Sequence, residues 1–135
     1  MPEFNNAKDL ERHLKKALDA LQAEVIVTTQ AKLGSTQVSP YQTGRLRSSW
    51  FAAEGSASSA VAPEGADSPN TDATGLRVDS RKQYHLTNSL PYAQSVAIEG
   101  NVVSQTKTWF ASFRNETIPR IQQTAAKVVK QQFDL

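Results

Sequence analysis

The sequence predicts an α+β fold: a long N-terminal helix, a small antiparallel β-sheet with a long flexible hairpin loop, and a C-terminal amphipathic helix packed on the same sheet face. Apolar residues recur at helical spacing near both ends of the chain, whereas they alternate with polar residues in the middle. A length of 135 residues suits one hydrophobic core better than two. We therefore expect a single domain over 1–135, with an N-terminal tail at 1–6.

The first predicted helix runs from about residue 7 to residue 33. Asn6 is suited to the N-cap, Asp9 lies where a carboxylate favours the helix dipole, and Gly34 is suited to the C-terminal end. A helix of roughly 40 Å is longer than a three-strand sheet can easily cover, so we expect it to pack partly against a neighbouring subunit. Its apolar stripe contains Leu10, Leu14, Ala17, Leu21, Val25 and Thr28, widened by Leu18 and Ile26.

The middle of the chain predicts strands separated by a long loop. Residues 45–52 alternate in polarity, which is typical of a half-buried strand. The spacing of apolar residues over 76–86 predicts one bent strand or two short ones. Residues 55–74 are rich in Ala and Ser and contain no aromatic or basic residue. Such a segment buries too little apolar area to offset its ordering entropy. It is either a mobile loop between two strands or an arm that orders only against a neighbouring subunit or partner.

The last segment predicts an amphipathic helix that contains one proline, Pro119. Either the helix begins near Asn115, so that Pro119 occupies the permissive first turn, or a helix from about 106 is kinked at Pro119. Between the strands and this helix, 92–98 is a short helix or another strand. The C-terminal apolar stripe contains Phe110, Phe113, Ile118, Ile121, Ala125 and Val128, with Val129 and Phe133 beside it.

Composition and charge exclude several classes of function. The chain has no cysteine, which removes disulfides, thiolate catalysis and cysteine-based zinc sites and fits folding in a reducing cytoplasm. We see no secretion signal and no apolar run near the roughly 20 residues that cross a bilayer, so we expect no membrane partner. Residues 54–79 carry one base and five acids, giving −4, whereas 80–135 carry seven bases and three acids, giving +4. Since the net charge is only +2, we expect little binding to free duplex DNA.

Residues with catalytic chemistry are scarce. The only histidines are His13, which lies off the apolar stripe, and His85, which has the exposed parity of its predicted strand, so we expect both to face solvent. No serine lies in a nucleophile-elbow motif, and no histidine or carboxylate spacing is typical of a zinc or calcium site. The glycines are scattered singly and form no phosphate-binding loop. We therefore predict a protein that is not an enzyme, with no cofactor and no metal.

Two segments carry more specific patterns. In the first, Pro40 and Gly44 fix a turn before a strand that presents Arg45 and Arg47 on its outward face. These arginines are either part of a solvated strand face or a pair that meets acidic side chains of a partner or DNA phosphate. The second segment, 88–100, places a proline and an aromatic residue after a strand and then an acid–glycine turn. Such a corner serves either internal packing or subunit contact.

Together the two segments resemble the HK97 gene-10-like family of tailed-phage proteins, known as tail completion or neck proteins. The first segment matches the family pattern at Pro40, Thr43, Gly44, Leu46, Arg47 and Ser49. The second matches it at Asn88, Pro91, Tyr92, Ala93, Glu99 and Gly100. The long N-terminal helix and the C-terminal amphipathic helix are also similar to the family, so the resemblance covers nearly the whole chain.

The resemblance implies a structural virion protein, made in the host bacterial cytoplasm and placed in the neck at the head–tail interface. It implies a homo-oligomeric ring, with a hexamer expected from the sixfold tail axis, around the channel through which the genome passes without sequence-specific binding. Expected partners are the head–tail connector or head-closure protein and the tail terminator or tail tube protein. The alternatives are a tail terminator or head-closure ring protein, or a small DNA-binding protein. Expected contact residues are Arg45, Arg47, Pro91, Tyr92 and Glu99, together with the 55–74 loop, whereas Leu46, Trp50 and the two helical stripes are expected in the core.

Overall fold

The computed structural model describes residues 3–35, 44–93 and 109–135. Within these ranges the chain forms a 3₁₀ turn at Asp72–Gly75 and a π-helical segment at Phe113–Thr117. Its other elements are α1 (Ala7–Leu33), α2 (Arg45–Ser48), β1 (Trp50–Glu54), β2 (Tyr84–Asn88), α3 (Trp109–Ser112) and α4 (Ile118–Gln132). This arrangement confirms the predicted α+β class, with a long N-terminal helix, an antiparallel sheet and a C-terminal helix.

Helix α1 has the predicted limits. The side chain of Asn6 caps its first turn by accepting a hydrogen bond of 3.0 Å from the backbone N–H of Asp9. Gly34 follows the last residue, but its φ of −78° is not left-handed, so helix termination does not require glycine there. A Cβ atom on Gly34 would lie 2.8 Å from the Cβ of Pro69. The glycine therefore allows the loop after β1 to approach the end of α1.

The predicted strand over 45–52 is wrong in its first half, because 45–48 forms the helical turn α2. The backbone N–H and the hydroxyl of Ser48 both donate to the carbonyl oxygen of Gly44, at 3.2 and 2.9 Å. The hydroxyl of Ser49 donates likewise to the carbonyl of Arg45, at 2.6 Å. Serine side chains compete with strand pairing in this way. The alternation of 45–49 therefore belongs to a helical turn, and the strand begins only at Trp50.

The sheet has two strands among the described residues, paired antiparallel from Trp50 with Asn88 to Glu54 with Tyr84. The second predicted strand is shorter than expected, because 76–83 forms no strand. In that stretch the hydroxyl oxygen of Tyr84 accepts a hydrogen bond of 2.7 Å from the backbone N–H of Asp79. Tyr84 thereby fixes the turn that leads into β2.

The C-terminal helical region runs from Trp109 to Gln132 through the π-helical segment. The backbone N–H of Ile118 reaches back five residues to the carbonyl oxygen of Phe113. Pro119 then lies in the first turn of α4, where a missing N–H costs little. The structure thus combines features of both predicted arrangements, with a helix that starts before Pro119 and a wide turn immediately ahead of it. Residue 106 lies outside the described residues.

The core lies where the helical region, the sheet and the chain after β2 meet. The indole of Trp50 stacks on the ring of Phe110 with 6.2 Å between the ring centroids and 8° between the planes. Helix α1 also packs along α4. The buried cluster contains Leu33, Leu46, Trp50, Leu90, Ala93, Trp109 and Phe113. Leu46 and Trp50 are therefore core residues, as predicted.

Candidate protein interface

The fold brings the described parts of the two sequence motifs together. The side-chain amide of Asn88 donates to the carbonyl oxygen of Leu46 at 2.7 Å, and its oxygen accepts from the backbone N–H of Leu90 at 3.3 Å. Leu46 and Leu90 then pack in the same buried cluster. The two motifs therefore form one internal unit. Pro40, Thr43, Glu99 and Gly100 lie outside the described residues.

Arg45 and Arg47 do not lie on an outward strand face, so that prediction is wrong. The Nε atom of Arg45 donates to the carbonyl oxygen of Ala62 at 2.7 Å. The Nη2 atom of Arg47 lies 2.6 Å from Oδ1 of Asp67 and also donates to the backbone carbonyl of Asp67. The side chain of Arg47 is only 15% exposed. Both arginines turn inward from α2 because their partners lie on the loop that follows β1.

The 55–74 segment connects the two strands as predicted, and it is tied to the rest of the chain. The hydroxyl of Ser49 accepts from the backbone N–H of Ala62 at 3.1 Å, and the hydroxyl of Thr87 donates to the carbonyl of Ser58 at 3.1 Å. At Gly44, where φ is +79°, an added Cβ would lie 2.9 Å from the Cα of Asp67. Glycine at 44 therefore serves both the turn and the close approach of this loop. Neither expectation for this segment, a mobile loop or an arm that orders only against a neighbouring subunit or partner, included these bonds.

The corner at Pro91 and Tyr92 is mainly internal packing. The backbone N–H of Ala93 donates to the carbonyl oxygen of Leu90 at 3.0 Å, which closes the turn. Leu90 and Ala93 are buried, and Tyr92 is half-buried against the same core cluster. Pro91 is exposed. Of this corner, Pro91 and the outer part of Tyr92 are accessible to a partner.

Sequence reasoning missed a buried polar residue, Gln30, which is 2% exposed. Its Nε2 atom donates to the carbonyl of Trp50 at 3.0 Å and also to the carboxylate of Asp72, and its Oε1 atom accepts from the backbone N–H of Ala73 at 3.0 Å. Asp72 in turn accepts from the backbone N–H of Ala52 at 3.1 Å. These bonds cover the outer edge of β1. A glutamine beside an apolar stripe gives no signal of this role.

A cluster of charges attaches the turn before β2 to α1. The ammonium group of Lys15 lies 2.6 Å from Asp19 and 3.0 Å from Asp79, and Arg81 lies 3.2 Å from Asp79. Hydrogen bonds from Arg81, and then from Lys15, hold the pKa of the Asp79 carboxyl far below its ordinary value. The Lys15 hydrogen bond, followed by that of the Ser80 backbone, lowers the pKa of Asp19. Both carboxylates therefore stay charged to a lower pH than an isolated aspartate does.

The apolar stripe of α1 is only partly covered. Leu10, Leu14 and Leu18 are 39%, 41% and 53% exposed, and we call these three residues the leucine ridge. Beyond Leu18 the ridge continues into an open groove of about 710 Å³, between α1 and the turn before β2. Leu21 and Val25 are among the residues that line it. Contiguous exposed apolar surface is a feature of protein contacts.

Both histidines differ from their predicted positions. The Nε2 atom of His13 lies 2.7 Å from the carbonyl oxygen of Phe133, and its ring packs between Phe4 and Phe133 with centroid distances of 5.2 and 5.6 Å. His13 thus joins the start of α1 to the end of α4 and is not simply solvent-facing. His85 is half-buried on β2, opposite Ala53.

Two further features, a metal site and a membrane span, are not found in the part of the chain that the structure describes. No group of three or more histidine or acidic side chains there could hold a metal ion. None of the helices in those ranges is long and apolar enough to cross a membrane. Comparison with protein-family models, curated proteins and solved structures gives no match. Function is therefore inferred from the surfaces described above and from the resemblance of the two motifs.

Proposed function

We propose that this chain is a structural virion protein of a tailed bacteriophage, a neck or tail-completion ring subunit that joins the head connector to the tail around the DNA channel. The observation that carries the proposal is the leucine ridge, because a subunit of an assembly covers such a face with its neighbour. The motif residues support it in a second way. Asn88 of the second motif bonds to Leu46 of the first, and Leu46 packs in one buried cluster with Ala93, so the two motifs contact each other between α2 and the end of β2.

The small exposed apolar surface of the leucine ridge suits a subunit that assembles only where connector and tail proteins are present. Fully burying a leucine contributes about 1.5–3 kcal/mol, so covering the exposed part of three leucines contributes roughly 3 kcal/mol. Association of two free molecules costs at least about 4 kcal/mol in lost freedom of motion. The ridge alone therefore holds no stable pair in solution. In a ring the contact is repeated and reinforced by the connector and tail proteins, so a free monomer is compatible with the proposal.

Gene deletion tests the neck role directly. Electron microscopy of lysates from a phage lacking this gene is expected to show full heads and separate tails. Supplying the protein should restore joined virions, and the half that lacks its ring distinguishes a neck subunit from a tail terminator or head-closure protein. Normal infectious virions without the gene would refute the structural role.

A surface variant tests the ridge. Because Leu14 and Leu18 are exposed, L14K/L18K should change the free energy of unfolding by less than about 1 kcal/mol yet fail to restore joined virions. V128K is the matched control, since Val128 is 45% exposed on α4. It should restore joining as the unmodified protein does. If L14K/L18K supports joining as well as V128K, the ridge is not the contact.

A further inference from the structure

The outer face of α4 carries positive charge without any acidic residue of its own. Arg120, Lys127 and Lys130 are exposed, and the helix contains no Asp or Glu between Ile118 and Gln132. The exposed carboxylates of Glu116 and Asp134 flank the helix, as does the exposed cation Arg114. At about 100° per residue the three cations fall within one arc, on the side away from the buried residues of α4. The arc, which we call the α4 basic face, also contains Gln123, Thr124 and Gln131, all exposed.

Some of the cations elsewhere are paired with neighbouring carboxylates, whereas others, such as Lys8, Lys16 and Arg77, are exposed and take part in none of the ion pairs described. Lys15, Arg47, Arg81 and Lys82 each lie within 3.2 Å of an acidic oxygen. None of the ion pairs among the described residues includes a cation of the α4 basic face. Net charge therefore understates how much positive charge this face presents to a partner.

The groove beside the face does not cancel this charge. Arg120 lines an open groove of about 500 Å³ between α1 and α4, together with Glu24 and Lys32. The single carboxylate of Glu24 is offset by the ammonium group of Lys32, so the groove adds no net negative charge. Thr28 and Thr117 line the same groove, and the hydroxyl of Thr28 donates to the carboxylate of Glu24 at 3.5 Å.

We propose that the α4 basic face contacts the phosphates of duplex DNA without reading its sequence. Lys, Arg, Gln and Thr side chains are the groups that donate to phosphate oxygens in protein–DNA complexes. The α4 basic face consists of these four residue types. The choice of duplex DNA as the polyanion rests on the proposed neck function, in which the genome passes through the ring.

The α4 basic face of a single subunit binds duplex DNA weakly. Neutralising three phosphates gives a slope of about −2.7 for the logarithm of the binding constant against the logarithm of salt concentration. Such a contact is nearly lost at physiological salt for an isolated subunit, which agrees with the small net charge. A ring repeats the contact around the channel, so the duplex is held along its axis while it remains free to slide.

Binding of the purified protein to a fluorescent mixed-sequence duplex, followed by anisotropy, tests this inference. At about 50 mM salt, R120Q/K127Q/K130Q should bind at least about tenfold more weakly than the unmodified chain, and the slope of about −2.7 should fall towards zero. The matched control is K8Q/K16Q/R77Q, which removes three exposed cations that take part in none of the ion pairs described. It should keep the affinity within about threefold.

Three results would overturn the proposal: no binding of the unmodified protein at low salt, equal losses in the two triple variants, or tighter binding to phosphatidylglycerol vesicles than to duplex. Failure of this inference is distinguishable from failure of the neck function. If only the inference fails, the protein still restores joined virions in the deletion phage. If only the neck function fails, virions form without the gene, while the purified protein still binds duplex through α4.

Discussion

Replacement of Gln30 by methionine tests how the fold is held together. Gln30 is buried and joins three separate parts of the chain: α1, the start of β1 and the 3₁₀ turn at Asp72–Gly75. Methionine has a similar volume but can neither donate nor accept the bonds that the amide makes. Q30M therefore removes these bonds with little change in packing.

The bonds that Gln30 makes determine how much the free energy of unfolding falls in Q30M. In Q30M the backbone N–H of Ala73, a residue that is 1% exposed, loses its acceptor, and the carbonyl of Trp50 loses a donor. Leaving a buried polar group without its partner costs about 1–3 kcal/mol. Asp72 is exposed and can turn to water, so it adds little. The free energy of unfolding should fall by about 3 kcal/mol, which lowers the urea midpoint by roughly 2 M at an m-value near about 1.5 kcal/mol/M.

Urea unfolding followed by tryptophan fluorescence measures this change, because Trp50 and Trp109 are 6% and 5% exposed in the folded chain. Q22M is the matched control on the same helix, since Gln22 makes one exposed hydrogen bond of 3.3 Å to the carbonyl of Lys82. It should cost less than about 0.5 kcal/mol. Equal losses of stability in Q30M and Q22M would refute the structural role assigned to Gln30.

Three further changes have defined outcomes. G44A should lower the free energy of unfolding by about 3 kcal/mol in urea, because the left-handed backbone and the nearby loop leave no room for a Cβ. R47M should speed cleavage after Glu64 by a glutamate-specific protease about fivefold, because the loop loses a partly exposed ion pair. D79N should flatten the dependence of stability on pH: the depressed pKa of Asp79 stabilises the fold above the ordinary value of 3.8, and this contribution is lost as pH falls through the lowered pKa.

Each of these changes has its own control. G65A shares the positive φ but has no atom within 4 Å of the added Cβ, so it should cost only about 1–2 kcal/mol. R77M removes an exposed arginine and should leave the cleavage rate unchanged; an equal rise would mean that Arg47 does not hold the loop. A pH titration in which D79N and the unmodified chain lose stability in parallel below about pH 4 would contradict the role of Asp79.

The candidate interface could be predicted in part. Helical spacing identified the apolar stripe of α1 but predicted it as core, which is wrong for Leu10, Leu14 and Leu18. The length of the helix predicted only that α1 would pack partly against a neighbouring subunit. Which part is uncovered could not be predicted, because this depends on where α4 and the turn before β2 lie. The two arginines were identified from their motif, but their partners depend on the loop after β1.

The sequence by itself determined the features that depend on neighbours within four residues. These are the limits of α1, its cap at Asn6 and the apolar stripe of α4, since helical hydrogen bonds and side-chain periodicity are local. Only the tertiary structure decided that Arg47 meets a carboxylate 20 residues away and that Gln30 bonds to a backbone group 43 residues away. Such bonds form only after the chain has folded back on itself, so no local pattern records them.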